Sequence, residues 1–234
     1  MQTITMEREK AGVLVNSFVR SVYHWMCVGL ALTGFVALYV SGSETLLRLV
    51  FQNRMVFFLL IIAELALVFS IAGMIDRLSA ATATALFVIY SALNGVTLSF
   101  VFLIYARASI VSTFFICSGT FLACSVYGWT TKRDLTSLGG FLMMGLIGII
   151  IASLVNLFVR SSSMSMIVSY IGVLVFVGLT AYDTQKLKYM ALTQPAGLEG
   201  SVVRKGAILG ALSLYLDFIN LFLMLLRIFG QGRE

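Results

Sequence analysis

Charge is what this sequence has least of. Asp, Glu, Lys and Arg make up 11% of its 234 residues, against about a quarter in an ordinary soluble domain. Histidine is nearly absent too, and His24 alone cannot assemble a zinc site or a Ser-His pair with its orienting acid. Cys27, Cys117 and Cys124 lie in apolar runs and form no CxxC or other ligand spacing, so they read as buried free thiols. No P-loop or other nucleotide signature is present, which argues against ATP-driven work. No cofactor is implied. The polar, mixed-charge start has no short apolar core followed by a small-residue cleavage site, so the first apolar run itself is expected to target the chain.

What is present is apolar. Hydrophobic residues make up 60% of the chain, more than a soluble fold could hide. A bilayer removes that difficulty. Backbone groups in lipid must be paired within the chain, which leaves helices or a closed barrel. Barrel strands alternate apolar and polar residues. The apolar runs here are continuous, so the expected fold is an all-α integral membrane protein.

Charged residues divide the sequence into seven runs, at about 22–40, 55–75, 80–104, 109–130, 138–159, 166–186 and 206–229. Each is near the roughly 20 residues that a spanning helix needs. The loops are too short for a second domain, and Pro195, the only proline, lies in the polar loop before the seventh run. The expected organisation is a short cytoplasmic segment over 1–21 and one seven-helix domain over 22–230, with no internal repeat. Net charge is +6, but the basic residues sit in short loops, so they read as topology determinants rather than as a nucleic-acid surface. Arg8, Lys10, Arg20, Arg77, Lys132, Arg133, Lys186, Lys188, Arg204 and Lys205 fall on one side. Arg48, Arg54, Arg107, Arg160, Arg227 and Arg233 fall on the other. Ten against six predicts a cytoplasmic N-terminus and an external C-terminus.

An ionisable group within a span is a functional candidate because its burial is costly. Glu64, Asp183 and Asp217 qualify. Asp217 lies about 16 Å into the seventh run, counted at 1.5 Å per residue from Gly206. Gly206, Gly210, Ser213, Asp217 and Asn220 follow at three- or four-residue steps and share one face. That small-then-polar stripe should face protein, either as a functional site or as a packing face anchored by one acid. Asp183 is near the end of the sixth run, with Lys186 three residues on. A plain interfacial ion pair is the alternative there. Glu64 is mid-span in the second run.

The run Ser213-Leu214-Tyr215-Leu216-Asp217-Phe218-Ile219-Asn220-Leu221-Phe222, continuing through Leu225-Leu226-Arg227, resembles the C-terminal signature of the Bax inhibitor-1 (transmembrane Bax inhibitor motif, TMBIM) family. The run from Phe176 to Lys188, with Tyr182-Asp183-Thr184-Gln185, is similar to that family's other signature. Span number, chain length and the place of Glu64 agree, beyond the first twenty residues. The short N-terminus looks like that of a bacterial member, hence a bacterial inner-membrane location. The resemblance implies a seventh helix at the centre, wrapped by the other six. It also implies a pH-regulated calcium leak or proton-linked exchange, with Asp183 and Asp217 as a paired proton sensor near the cytoplasmic mouth. A basic latch on the second helix belongs to that picture. The matching position falls near Ile75, so either Arg77 serves, slightly displaced, or the latch is absent.

Two carboxyls close together in a low-dielectric site cannot both ionise cheaply, and they titrate as a coupled unit. Proton uptake would cancel their attraction to a cation such as Arg77 or Lys186 and bias the seventh helix between closed and leaky arrangements. Calcium wants several oxygen ligands. Glu64, Asp183, Asp217, Asn94, Asn156 and Asn220 offer too few for a tight site, which suits transient binding during conduction, centred on Asp183 and Asp217. Expected partners are therefore lipid, calcium and protons. Two rivals stand beside this reading. One is a regulator of a membrane quality-control protease or stress pathway, with no transport. The other is an intramembrane aspartyl protease, which resembles this chain in its Tyr-Asp on one helix and Asp on the next. Presenilin-like motifs carry glycines where this chain has Tyr215 and Leu216, and a Pro-Ala-Leu element that is missing here. A non-enzyme is expected.

Overall fold

A computed structural model of the chain describes residues 2–193 and 199–232, with side chains from residue 16 onward. Pro195 and Arg233 lie outside the described residues, as do the side chains of Arg8 and Lys10. The described chain is helical almost throughout. Its elements are α1 (Gln2–Ser41), α2 (Glu44–Leu47), a π-helical turn (Arg48–Gln52), α3 (Arg54–Met74), α4 (Ala80–Leu98), α5 (Val101–Ile104), α6 (Arg107–Thr130), α7 (Thr136–Val159), α8 (Ser162–Thr193) and α9 (Gly200–Phe229). Seven stretches are long and apolar enough to cross a membrane, matching the seven runs in the sequence.

Helix ends differ from the run ends in an instructive way. The sixth run stops at Lys186, yet α8 continues to Thr193, and α9 begins at Gly200 rather than Gly206. Charge marks where a helix meets water. It does not stop backbone hydrogen bonding, and Lys, Leu, Met, Ala and Arg are good helix formers. The third run breaks after Leu98, where the Ser99 hydroxyl donates to the Val96 carbonyl at 2.7 Å and its N–H bonds the same oxygen.

The chain divides into two compact units, Met1–Ile104 with Lys188–Tyr215, and Tyr105–Leu187 with Leu216–Glu234. In the first, α1 buries one stripe: Phe18, Val22, Met26, Gly29, Thr33, Ala37 and Val40, at steps of three and four. This is the spacing of a helix seam. Glycine makes its contact with α4 close. A Cβ on Gly95 would lie 2.7 Å from the Thr33 carbonyl oxygen, and one on Gly29 would lie 2.7 Å from Phe87 Cζ. Small residues of this kind let backbones approach in lipid, where no hydrophobic force drives helices together. The close approach also pairs polar groups. Thr33 donates to the Ser91 carbonyl at 2.8 Å and shares a 2.6 Å hydrogen bond with the Tyr215 hydroxyl. Phe87 and Tyr90 set their edges against the Tyr215 ring at 5.9 and 5.6 Å. By contrast, Ile71 is the one residue of α3 that is fully buried, so α3 presents most of its surface outward.

The second unit uses the same device. Along α6 the buried positions Ile110, Thr113, Cys117, Phe121, Ser125 and Gly128 form one stripe. Phe218 lies between Phe114 and Phe121, with ring centroids 5.6 and 5.4 Å away. Gly172 and Gly178 on α8 receive Met224 and Leu142, whose nearest atoms would lie 2.9 and 2.7 Å from an added Cβ. The turn between α6 and α7 is fixed by Asp134, whose carboxylate accepts from the Thr136 amide at 2.9 Å and the Thr136 hydroxyl at 2.6 Å. Those two bonds favour the ionised form and hold this exposed carboxyl below its ordinary pKa.

Candidate functional site

The segment that carries Asp183 is held from several sides within the second unit. Gly128 of α6 meets the Ala181 carbonyl, and Gly139 of α7 meets the Tyr182 ring, each so closely that a side chain at either glycine would collide. Thr184 bonds the Ser125 hydroxyl at 3.5 Å. Gln185, almost fully buried, accepts from the Leu135 amide and donates to the Arg133 carbonyl, both at 2.8 Å. The two residues before the acid and the two after it are therefore tied to α6, to α7 or to the turn between them. A carboxyl placed on such a framework has little freedom to swing away.

Asp217 is supported by its neighbour. Phe218 is clasped by the two α6 phenylalanines, and Cys117 Sγ donates to the Phe218 carbonyl at 3.7 Å. Asp217 itself is only 5% exposed, and its Oδ2 is buried without a hydrogen-bond partner. A buried acid oxygen left unpaired is costly, and natural proteins seldom keep one without a use for it. Asp183 is partly exposed and lies within electrostatic reach of Asp217. Lys186, exposed at the next turn of α8, acts on Asp183. The two acids singled out in the sequence thus lie within electrostatic reach of each other, and Lys186 within reach of Asp183.

Glu64 belongs to the first unit, where it accepts a hydrogen bond from Thr97. Arg77 also belongs to the first unit, in the turn after α3, with its amide bonded to the Met74 carbonyl. Asn220 spends its amide on the Leu216 carbonyl of its own helix at 2.8 Å. Asn94 bonds the Tyr90 hydroxyl and Asn156 the Ser165 hydroxyl, each at 2.9 Å. Among the described residues no three of His, Cys, Asp and Glu gather as a metal site. Gly128 and Gly139 were not singled out by the sequence, and Gln185 was named only as part of a signature run. Their signal was available only in part, since a lone glycine in an apolar run names no contact.

Comparison with known proteins agrees with this frame. A family described as "Inhibitor of apoptosis-promoting Bax1" matches residues 15–234. Inner membrane protein YbhL of Escherichia coli (strain K12) is 56% identical over 219 residues, covering 94% of this chain and 93% of that protein. An uncharacterized protein of Borreliella burgdorferi is 47% identical over 232 residues, covering 99% of each chain. One of Deinococcus radiodurans is 45% identical over 234 residues, covering all of this chain and 98% of its own. With seven apolar helices and a match across nearly its whole length, the chain belongs to the Bax inhibitor-1 family.

Proposed function

We infer that the protein is a pH-sensitive calcium leak pathway, or a proton-linked calcium transporter, of a bacterial inner membrane. Its control element is the carboxyl pair Asp183 and Asp217. The observation that carries this reading is the buried Oδ2 of Asp217, left without a partner beside a second carboxyl. Two acids so placed bind and release protons as one unit. With the pair ionised, a calcium ion passing through has oxygen ligands to attract it. With the pair protonated, that attraction weakens, as does the pull on Lys186. Few fixed ligands suit an ion that must leave as readily as it enters. The Escherichia coli relative's name puts that protein in the inner membrane, and the same location is proposed here. The excess of Lys and Arg on one side supports a cytoplasmic N-terminus and an external C-terminus.

The test is calcium entry into dye-loaded proteoliposomes over a pH series. Entry above that of empty liposomes, varying with pH, is expected. Folded and inserted protein that passes no calcium at any pH would sink the transport reading and favour a regulator acting by contact, for example on a membrane protease.

A further inference from the structure

A second polar site lies away from the acids, within the second unit. A cavity of about 160 Å³ is lined by Ser153, Asn156 and Leu157 of α7, Ser165 and Val168 of α8, and Arg227 of α9. A water's share of liquid volume is about 30 Å³, so the space admits a group the size of a phosphate. Its polar lining is arranged to donate. The Asn156 carbonyl oxygen is occupied by the Ser161 amide, and its NH2 donates to Ser165 Oγ. Ser165 therefore keeps its own hydroxyl proton for another acceptor. Ser165 stands in the first turn of the 32-residue α8, whose N-terminal dipole favours an anion. Arg227 is exposed and carries a fixed positive charge whose planar fork matches phosphate oxygens.

Among the residues that line the cavity, the one charge is that of Arg227. Arg107 begins α6, Arg160 follows α7 and Arg227 ends α9. The second unit's described acids are Asp134, in the turn between α6 and α7, Asp183 on α8 and Asp217 on α9, none of them in the lining. Beside the cavity the wall turns apolar and outward. Leu157 is 68% exposed and Phe158 87% exposed, on a helix long and apolar enough to lie in a bilayer. A ligand that matches both features has an anionic head and a hydrocarbon tail.

We propose that this cavity binds the phosphate of a phospholipid, with Arg227, Ser165 and Ser153 donating to the phosphate oxygens and an acyl chain lying along Leu157 and Phe158. The proposal does not depend on calcium movement or on the acid pair. It is tested with the full-length chain, stripped of lipid in a neutral detergent and titrated by native mass spectrometry. The probes are phosphatidylglycerol, diacylglycerol and inorganic phosphate. Phosphatidylglycerol is expected to bind, and Arg227→Gln to weaken it about tenfold or more. Arg227→Lys should recover part of the loss, and Ser165→Ala should weaken binding less. Three results each overturn the proposal: Arg227→Gln and Ser165→Ala both binding as wild type does, diacylglycerol binding as well as phosphatidylglycerol, or inorganic phosphate binding where the phospholipid does not.

Discussion

Replacing Gly128 by alanine adds one methyl group where the structure has no room for it. The added Cβ would collide with the Ala181 carbonyl oxygen and stand 2.9 Å from its carbonyl carbon and 3.0 Å from its Cα. These are backbone atoms, so no rotamer change relieves the clash. Ordinary carbon contacts begin at about 3.5 Å, so α6 and α8 must part by about 1 Å at this point. Overpacking of this kind costs about 1–3 kcal/mol. Gly119, on the same helix, is the matched control, because a Cβ there meets nothing within 4 Å. There the change to alanine should gain up to about 1 kcal/mol from helix propensity alone. The two variants should therefore separate by about 2 kcal/mol or more. The assay is denaturant unfolding of detergent-solubilised protein, followed by tryptophan fluorescence. Because Ala181 is two residues before Asp183, Gly128→Ala should also alter the pH response of calcium entry, whereas Gly119→Ala should not. Equal shifts in stability for both variants would refute the claim that backbone contact at Gly128 sets the position of the acid.

Two further expectations concern the turn that supports Asp183. Gln185→Leu should strip partners from the Leu135 amide and the Arg133 carbonyl and cost about 1–3 kcal/mol for the groups left unpaired; unchanged unfolding would remove Gln185 from the supporting framework. The Asp134 carboxyl should titrate below its ordinary value of about 3.9, because the Thr136 bonds favour its ionised form. Its stabilising effect is then fully present above the unfolded pKa and is lost as pH falls through the lower folded one. An NMR titration of Asp134 with its midpoint at or above the ordinary value would contradict this.

The seven spans were legible in the sequence because lipid allows few alternatives: a continuous apolar run of sufficient length has to be a helix. The ends were less so. Lys188, Arg204 and Lys205 were read as loop, yet all three lie in helix, since charge reports solvent rather than backbone geometry. Asp183 and Asp217 stood out because an acid within an apolar run is costly and rare. Their meeting was suggested by resemblance to a family and not by spacing, since 34 positions separate them in the chain. What held them in place was hidden. Gly128 and Gly139 matter through the atoms they touch, and Gln185 through backbone groups some fifty residues away. Such contacts are three-dimensional facts with no local pattern to announce them. The cavity beside Arg227 was equally invisible, although its arginine was counted among the topology determinants.

The measurement that bears most directly on the central claim is the pH profile of calcium entry for wild type, Asp183→Asn, Asp217→Asn and the double variant, each checked for folding and insertion. If the two carboxyls act as one proton-binding unit, either single substitution should abolish the pH dependence, and the double variant should add little beyond it. Single variants that each keep a pH response, with effects that sum in the double, would show two independent groups and contradict the paired control of the pathway.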